Sequence, residues 1–310
     1  MIQAVILFLV GLVLICFGGD RLVDASVAIA KKLGIPQIVV GATIVSIGTT
    51  LPEVLVSTTA AFQGSADICA GNAFGSIICN TALIAGLTQA IRPTKEVEKG
   101  SLGWRTAFFM ITIFAMGICG FVFGRYNRAV GFVLLALFVL YSFLSIRLAE
   151  NQEDDEPTDD IVLWKKLLIL LFCAGLLFVG AKLLVDNGII IAEGLHVPER
   201  IIAVTFIALG TSLPELVTSL MSLIKGYGKV GLGNIIGANL LNLLLVIGIP
   251  AAISGIQLTE QTVRMDIPVS IAVMAVLTLP LLIKKKAYRW QGILLLSVYV
   301  IYCVAGFVNV

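Results

Sequence analysis

The chain alternates long apolar runs with short polar breaks, and only one break is long. A bilayer core takes about 20 apolar residues per helix. Runs of that length cover roughly 3–30, 36–63, 67–90, 103–124, 127–149, 161–192, 198–224, 228–254, 263–283 and 288–308, which predicts an all-α polytopic membrane protein of ten spans. The long break, 150–160, has no apolar residue to bury and is expected to be a solvated acidic linker. Binding of a regulatory cation is the other use for such a run. The start, Met1-Ile2-Gln3-Ala4, has no basic stretch and no small-residue cleavage site follows, so the first run is expected to stay as a helix.

Composition narrows the class. The 310 residues are 59% hydrophobic and 13% charged, against about a quarter charged in an ordinary soluble domain. So apolar a chain cannot cover itself with polar surface in water, which excludes a soluble fold and disorder alike. A net charge of +2 with a single His and no basic hydrophilic segment removes nucleic acid as a partner. The six Cys lie in apolar runs without CxxC spacing and read as small buried side chains, so neither a metal centre nor a disulfide framework is expected. No cofactor is implied, and a monomer in the lipid bilayer is the expected form.

The basic residues orient the chain. The connections after spans 1, 3, 5, 7 and 9 hold 15 Lys and Arg and the opposite side holds 4, with Arg21 and Lys182 inside spans. The positive-inside rule then places both termini outside the cytoplasm and the 150–160 linker within it. Trp104, Trp164 and Trp290 fall near span ends on that cytoplasmic side, where an indole can straddle the interface.

A shift of 162 residues lays one half of the chain on the other. Leu22-Val23-Asp24 meets Leu184-Val185-Asp186, and Gly48-Thr49-Thr50-Leu51-Pro52-Glu53 meets Gly210-Thr211-Ser212-Leu213-Pro214-Glu215. Gly71-Asn72 meets Gly233-Asn234, Gly75 meets Gly237, and Asn80 meets Asn242. Each half has five spans, an odd number, so the second enters the membrane inverted. The expected domains are 1–149, the 150–160 linker and 161–310. Inverted repeats with interrupted helices at matching places are the mark of secondary transporters and point to a site at the midplane.

Glu53 and Glu215 are stranded deep in apolar spans at matching places, with no Lys or Arg within two helical turns in sequence. A charge there costs about 2.5–3.5 kcal/mol or more unless something pairs with it, and intramembrane acids are functional by default. Pro52 and Pro214 lack an N–H and their rings collide with the carbonyls of Gly48 and Gly210, so both helices are expected to break. Freed carbonyls, the hydroxyls of Thr49, Thr50, Thr211 and Ser212, and a carboxylate make an all-oxygen set of the kind hard cations take. Back-bonding to the i−4 carbonyl is the alternative use for each hydroxyl. The glycines of the third span in each half suit close helix packing. Ser76 and Asn80 share a helix face; Asn242 matches Asn80, but Ser76 is matched by Ala238, so the halves differ as ligand sets.

Two copies of G-T-[ST]-L-P-E, each followed by G-N-x-x-G-[SA] and an Asn, resemble the paired alpha-repeats of the cation/calcium antiporter superfamily, most closely its prokaryotic sodium/calcium exchangers. The resemblance covers nearly the whole chain. It implies ten helices, broken second and seventh helices, and a cage of four cation sites. By position the ligands would be the carbonyl of Ser46 with Thr49, Thr50, Glu53, Ser76 and Asn80, and the carbonyl of Ala208 with Thr211, Ser212, Glu215 and Asn242. Asn242 stands where some members carry an acid and resembles the potassium-independent exchangers. Ala238 replaces a serine that helps hold one sodium, so the resemblance leaves that site and the transport ratio open.

The expected function is electrogenic Na+/Ca2+ antiport by alternating access, with spans 1 and 6 moving against the core. Two carboxylates neutralise one Ca2+, and several Na+ compete for the same oxygens. An emptied site leaves two neighbouring carboxylates whose like charges should raise one pKa, so low pH is expected to inhibit. A proton/calcium antiporter is the alternative, and a passive cation channel a second. The chain has no HExxH or GxSxG, and His196 sits near a span end, so an enzyme is not expected.

Overall fold

The computed structural model describes residues 2–64, 66–95, 99–148, 162–195 and 210–308. The 150–160 linker, Ala208, His196 and the first part of the seventh span lie outside the described residues. Among the described residues eight helices are long and apolar enough to cross a membrane. These are α1 (Ile2–Leu33), α2 (Gln37–Phe62), α3 (Ile68–Ile91), α4 (Lys99–Phe123), α5 (Arg128–Arg147), α6 (Leu163–Gly194), α8 (Gly228–Ser254) and α9 (Thr262–Lys284). Two further apolar helices, α7 (Leu213–Ile224) and α10 (Arg289–Val308), lie on the seventh and tenth runs. Two-residue strands, Arg125–Tyr126 and Ile256–Gln257, pair antiparallel and tie the α4–α5 and α8–α9 connections together.

The helices sort into a long pair and a buried core. At 1.5 Å per residue, α1 and α6, of 32 residues each, run about 48 Å, so they must tilt in a core of about 30 Å. They cross on glycine: a Cβ at Gly11 would sit 2.8 Å from the Gly180 carbonyl, and one at Gly18 would sit 3.2 Å from the Cys173 carbonyl. With little hydrophobic drive between helices in lipid, such backbone approach supplies the packing. The core is α8, all but enclosed, with α2 and α3 against it. A Cβ at Gly41, Gly233 or Gly237 would fall on a carbonyl of the opposite helix, so α2 and α8 meet backbone to backbone. Gly71 and Gly75 differ, because nothing among the described residues lies within 4 Å of a Cβ there.

The expected break in the second helix is not there. The backbone of α2 stays helical through Pro52, and its irregularity is a π-helical turn at Gly41–Val45, well upstream. A spanning helix tolerates proline when neighbouring helices and hydroxyl side chains take over the freed groups, and Pro52 follows the hydroxyl-bearing run Ser46–Thr50. In the second half a break does occur: Gly210 is helical, Thr211 and Ser212 form a turn, and α7 starts at Leu213 with Pro214 in its first turn. Further π-helical segments lie at Cys79–Ala85 and Asn242–Ile247, and each contains the matched asparagine. Trp164 and Trp290 are 60% and 54% exposed, whereas Trp104 turns inward against Tyr141, with ring centroids 5.6 Å apart.

Candidate cation site

The two glutamates reach the centre of the core from different elements. Glu53 lies within α2 and Glu215 in the first turn of α7, where a helix N-terminus favours negative charge. Both are completely buried, and each lies within electrostatic reach of the other. Among the described residues no Lys or Arg pairs with either.

Around them sits a polar shell that the fold leaves incomplete. The Thr50 hydroxyl donates to Glu215 Oε1 at 3.3 Å, and the Thr49 hydroxyl donates to Asn234 Oδ1 at 3.2 Å. The Ser46 carbonyl lies 3.4 Å from the same Thr49 hydroxyl. Among the described residues neither carboxylate oxygen of Glu53 has a partner, nor does Glu215 Oε2 or the amide atoms of Asn80 and Asn242. Ser76 is buried one turn before Asn80, and Thr211 is half-buried in the turn before α7. Of the eleven residues picked out by sequence, ten lie on α2, α3, α7 with its preceding turn, and α8; interactions join Ser46 to Thr49, Thr50 to Glu215 and Glu215 to Glu53, and Ala208 lies outside the described residues.

Buried polar groups without partners are costly and rare in folded proteins. Here they accompany two buried carboxylates that no Lys or Arg among the described residues balances. The donor set is carboxylate, amide and hydroxyl oxygen, which suits Ca2+ and Na+; the buried Cys79 thiol lies within electrostatic reach of both acids.

Sequence reasoning missed two members of this shell. Asn234 was read only as part of a packing motif, yet it is buried, accepts from Thr49 and leaves its Nδ2 unpartnered. Its counterpart Asn72 donates to the Ser57 hydroxyl at 2.8 Å and, at 3.4 Å, to the Glu53 carbonyl, so it braces α2 beside the acid. Recurrence of the Gly-Asn pair in both halves was the available signal. Asp266, a further buried acid, accepts from the Tyr302 hydroxyl at 3.0 Å and belongs to the start of α9.

Fold and site together define a multi-pass helical membrane protein of the transporter class. The chain belongs to the sodium/calcium exchanger protein family, which matches residues 3–147 and 165–308. It is 36% identical over 307 residues to an uncharacterised membrane protein of Methanocaldococcus jannaschii, covering 95% of each chain. It is 29% identical over 346 residues to the sodium/calcium exchanger MaX1 of Methanosarcina acetivorans, covering 97% of this chain and 98% of that one. A solved structure of the sodium-calcium exchanger NCX_Mj, soaked without Na+ and Ca2+, superposes with a TM-score of 0.86 at 32% identity, covering 98% and 99% of the two chains.

Proposed function

We propose that the chain exchanges Na+ for Ca2+ across a cell membrane by alternating access. One observation carries this reading: Glu53 and Glu215, at matching places in the two halves, are completely buried amid unpartnered oxygens. Two carboxylates balance one Ca2+, and Na+ takes the same oxygens when Ca2+ is absent. The ligand set is Ser46, Thr49, Thr50, Glu53, Ser76 and Asn80 with Ala208, Thr211, Ser212, Glu215 and Asn242.

The architecture in this reading is ten helices in two inverted halves, 1–149 and 161–310, joined by a cytoplasmic linker at 150–160, with both termini outside. The reciprocal crossing of α1 and α6 supports it. Gly11 meets Gly180 and Gly18 meets Cys173, and the 162-residue shift converts the first contact into the second. A pair related by pseudo-two-fold symmetry can rock as one body against the core.

Exchange of three Na+ for one Ca2+ moves one net charge, coupled to voltage at about 2.3 kcal/mol per 100 mV. Ala238 puts a methyl group where Ser76 has a hydroxyl, so one sodium is held by fewer oxygens in the second half. Asn242 adds no third carboxylate, and K+ is not co-transported. The test is 45Ca2+ uptake into proteoliposomes under imposed Na+, K+ or H+ gradients. Uptake should follow the Na+ gradient, rise with an inside-positive potential when Na+ leaves the vesicle, and ignore K+. Uptake that follows only the H+ gradient would make the chain a proton/calcium antiporter, and saturable flux without any gradient would make it a pore.

A further inference from the structure

The cage meets the two sides of the molecule through unlike seams. On α7, Glu215, Thr218, Ser219 and Ser222 recur at three- and four-residue steps and share one helix face. All four are at most 1% exposed. A buried helical Ser or Thr commonly returns its hydroxyl to the carbonyl one turn back, as Ser26, Thr43 and Thr278 do. Thr218, Ser219 and Ser222 do not, and none of their hydroxyls has a partner among the described residues.

The row continues beyond α7. Ser219 opens onto an enclosed space of about 10 Å³ that Thr88, Gln89 and Thr94 also line, which is room for one water. The Gln89 amide and Thr94 hold each other there, at 3.1 Å through the hydroxyl and 2.8 Å through the backbone N–H. Thr94, Leu223 and Gly228 also line a wide surface cleft of about 1390 Å³. Arg92, Lys95 and Lys284 are among the seven basic residues that line it, so the cleft itself repels cations. The hydroxyl row is the first set of oxygen ligands inside it.

The other half has no such row. Under the 162-residue shift Thr218, Ser219 and Ser222 become Val56, Ser57 and Ala60, and Thr88, Gln89 and Thr94 become Pro250, Ala251 and Ile256. At these matched positions the one hydroxyl left, Ser57, is occupied by Asn72, and the unpartnered Thr58 hydroxyl beside it stands where the second half has Leu220. Interhelical glue would explain hydroxyls that are paired; those of α7 are not.

We propose that the seam from Glu215 through Thr218, Ser219 and Ser222 to Gln89 and Thr94 is the cytoplasmic passage of the transported cation. The hydroxyls are its specificity-determining ligands, replacing hydration water on the way to and from the cage. The passage is shut in this conformation, since the enclosed space holds one water and not a hydrated ion. The assignment rests on the exchange reading and on the orientation given by the basic loops.

The test combines Thr218→Val, Ser219→Ala and Ser222→Ala in the full chain, reconstituted in proteoliposomes. Exchange should fall at least tenfold while equilibrium 45Ca2+ binding to the purified protein stays within twofold of wild type. Binding lost in parallel would make the hydroxyls part of the cage and overturn the passage, and so would exchange at the wild-type rate. Ser222→Cys gives a readout that does not need the triple variant to fold. A charged, membrane-impermeant thiol reagent should modify it above the wild-type background from the cytoplasmic side only. Absence of modification from that side under every ionic condition would contradict the proposal. A wild-type chain without Na+-driven flux would instead sink the exchange reading, and the labelling would still report on the passage.

Discussion

Glu53 and Glu215 stand in nearly the same six-residue motif, yet the backbone treats the two copies differently. Around Glu53 the helix runs on through Pro52; around Glu215 it stops, turns and starts again at Leu213. The partners differ as well, since Glu215 accepts from Thr50 while the carboxylate of Glu53 accepts from nothing among the described residues. What the motif secures in both places is a buried acid beside hydroxyls. Whether the proline breaks the helix depends on the residues around it.

Exchanging the prolines should break this comparison most severely. A proline in a helix interior costs about 3 kcal/mol, whereas one in the first turn costs little. Pro52→Ala should therefore raise the thermal unfolding midpoint clearly and lower exchange, while Pro214→Ala should leave the midpoint nearly unchanged. Equal shifts would remove the distinction between the two copies.

The glycine contacts come next. Gly180→Val puts side-chain atoms onto the Gly11 carbonyl and the Ile15 side chain, both within 3 Å of its Cβ, and overpacking of this kind costs about 1–3 kcal/mol. Gly75→Ala, with open space among the described residues, should melt like wild type. At the site, Thr50→Ala removes one hydrogen bond to a charged group, worth about 1.5–3 kcal/mol at most. The lower figure corresponds to about a tenfold rise in half-saturating Ca2+, with recovery expected in Thr50→Ser.

The smallest effect concerns a tie that only one half has. Lys225, just past α7, reaches Asp20 at 2.7 Å and Asp24 at 2.6 Å on α1. The matching residues are Gln63, Lys182 and Asp186, and Lys182 pairs with Asp186 on its own helix at 3.0 Å. Partial burial pulls the Lys225 ammonium down, but its hydrogen bonds to Asp20 and Asp24 outweigh this and leave it above the usual lysine range. A raised value means that the tie is fully present below the ordinary lysine pKa and is lost as pH rises through the higher folded one. These partly exposed pairs contribute about 0.5–1 kcal/mol. Lys225→Gln should lower the unfolding midpoint slightly at neutral pH, and the difference should vanish in about 1 M salt, where screening is within about 3 Å.

Much of this was legible in the sequence because lipid imposes a single rule on every segment. The runs at 67–90 and 228–254 became Ile68–Ile91 and Gly228–Ser254, since only a helix satisfies its own backbone in hydrocarbon. Glu53 and Glu215 were legible because charge is so scarce in such runs. The π-helical turns were not, because an i→i+5 bond leaves no mark on side-chain periodicity. Nor was the role of Asn234 or the empty hydroxyls of Thr218, Ser219 and Ser222, since pairing depends on neighbours distant in the chain. The helical path through Pro52 was misread because a local rule was applied where tertiary contacts decide.

The central claim is that Glu53 and Glu215 together form the Ca2+ site. The direct measurement is Na+-gradient-driven 45Ca2+ uptake by Glu53→Gln and Glu215→Gln, each reconstituted at equal density with wild type. Each substitution removes one of only two charges that balance the divalent ion, so uptake should fall at least a hundredfold in both. Uptake left intact in both variants would contradict the site.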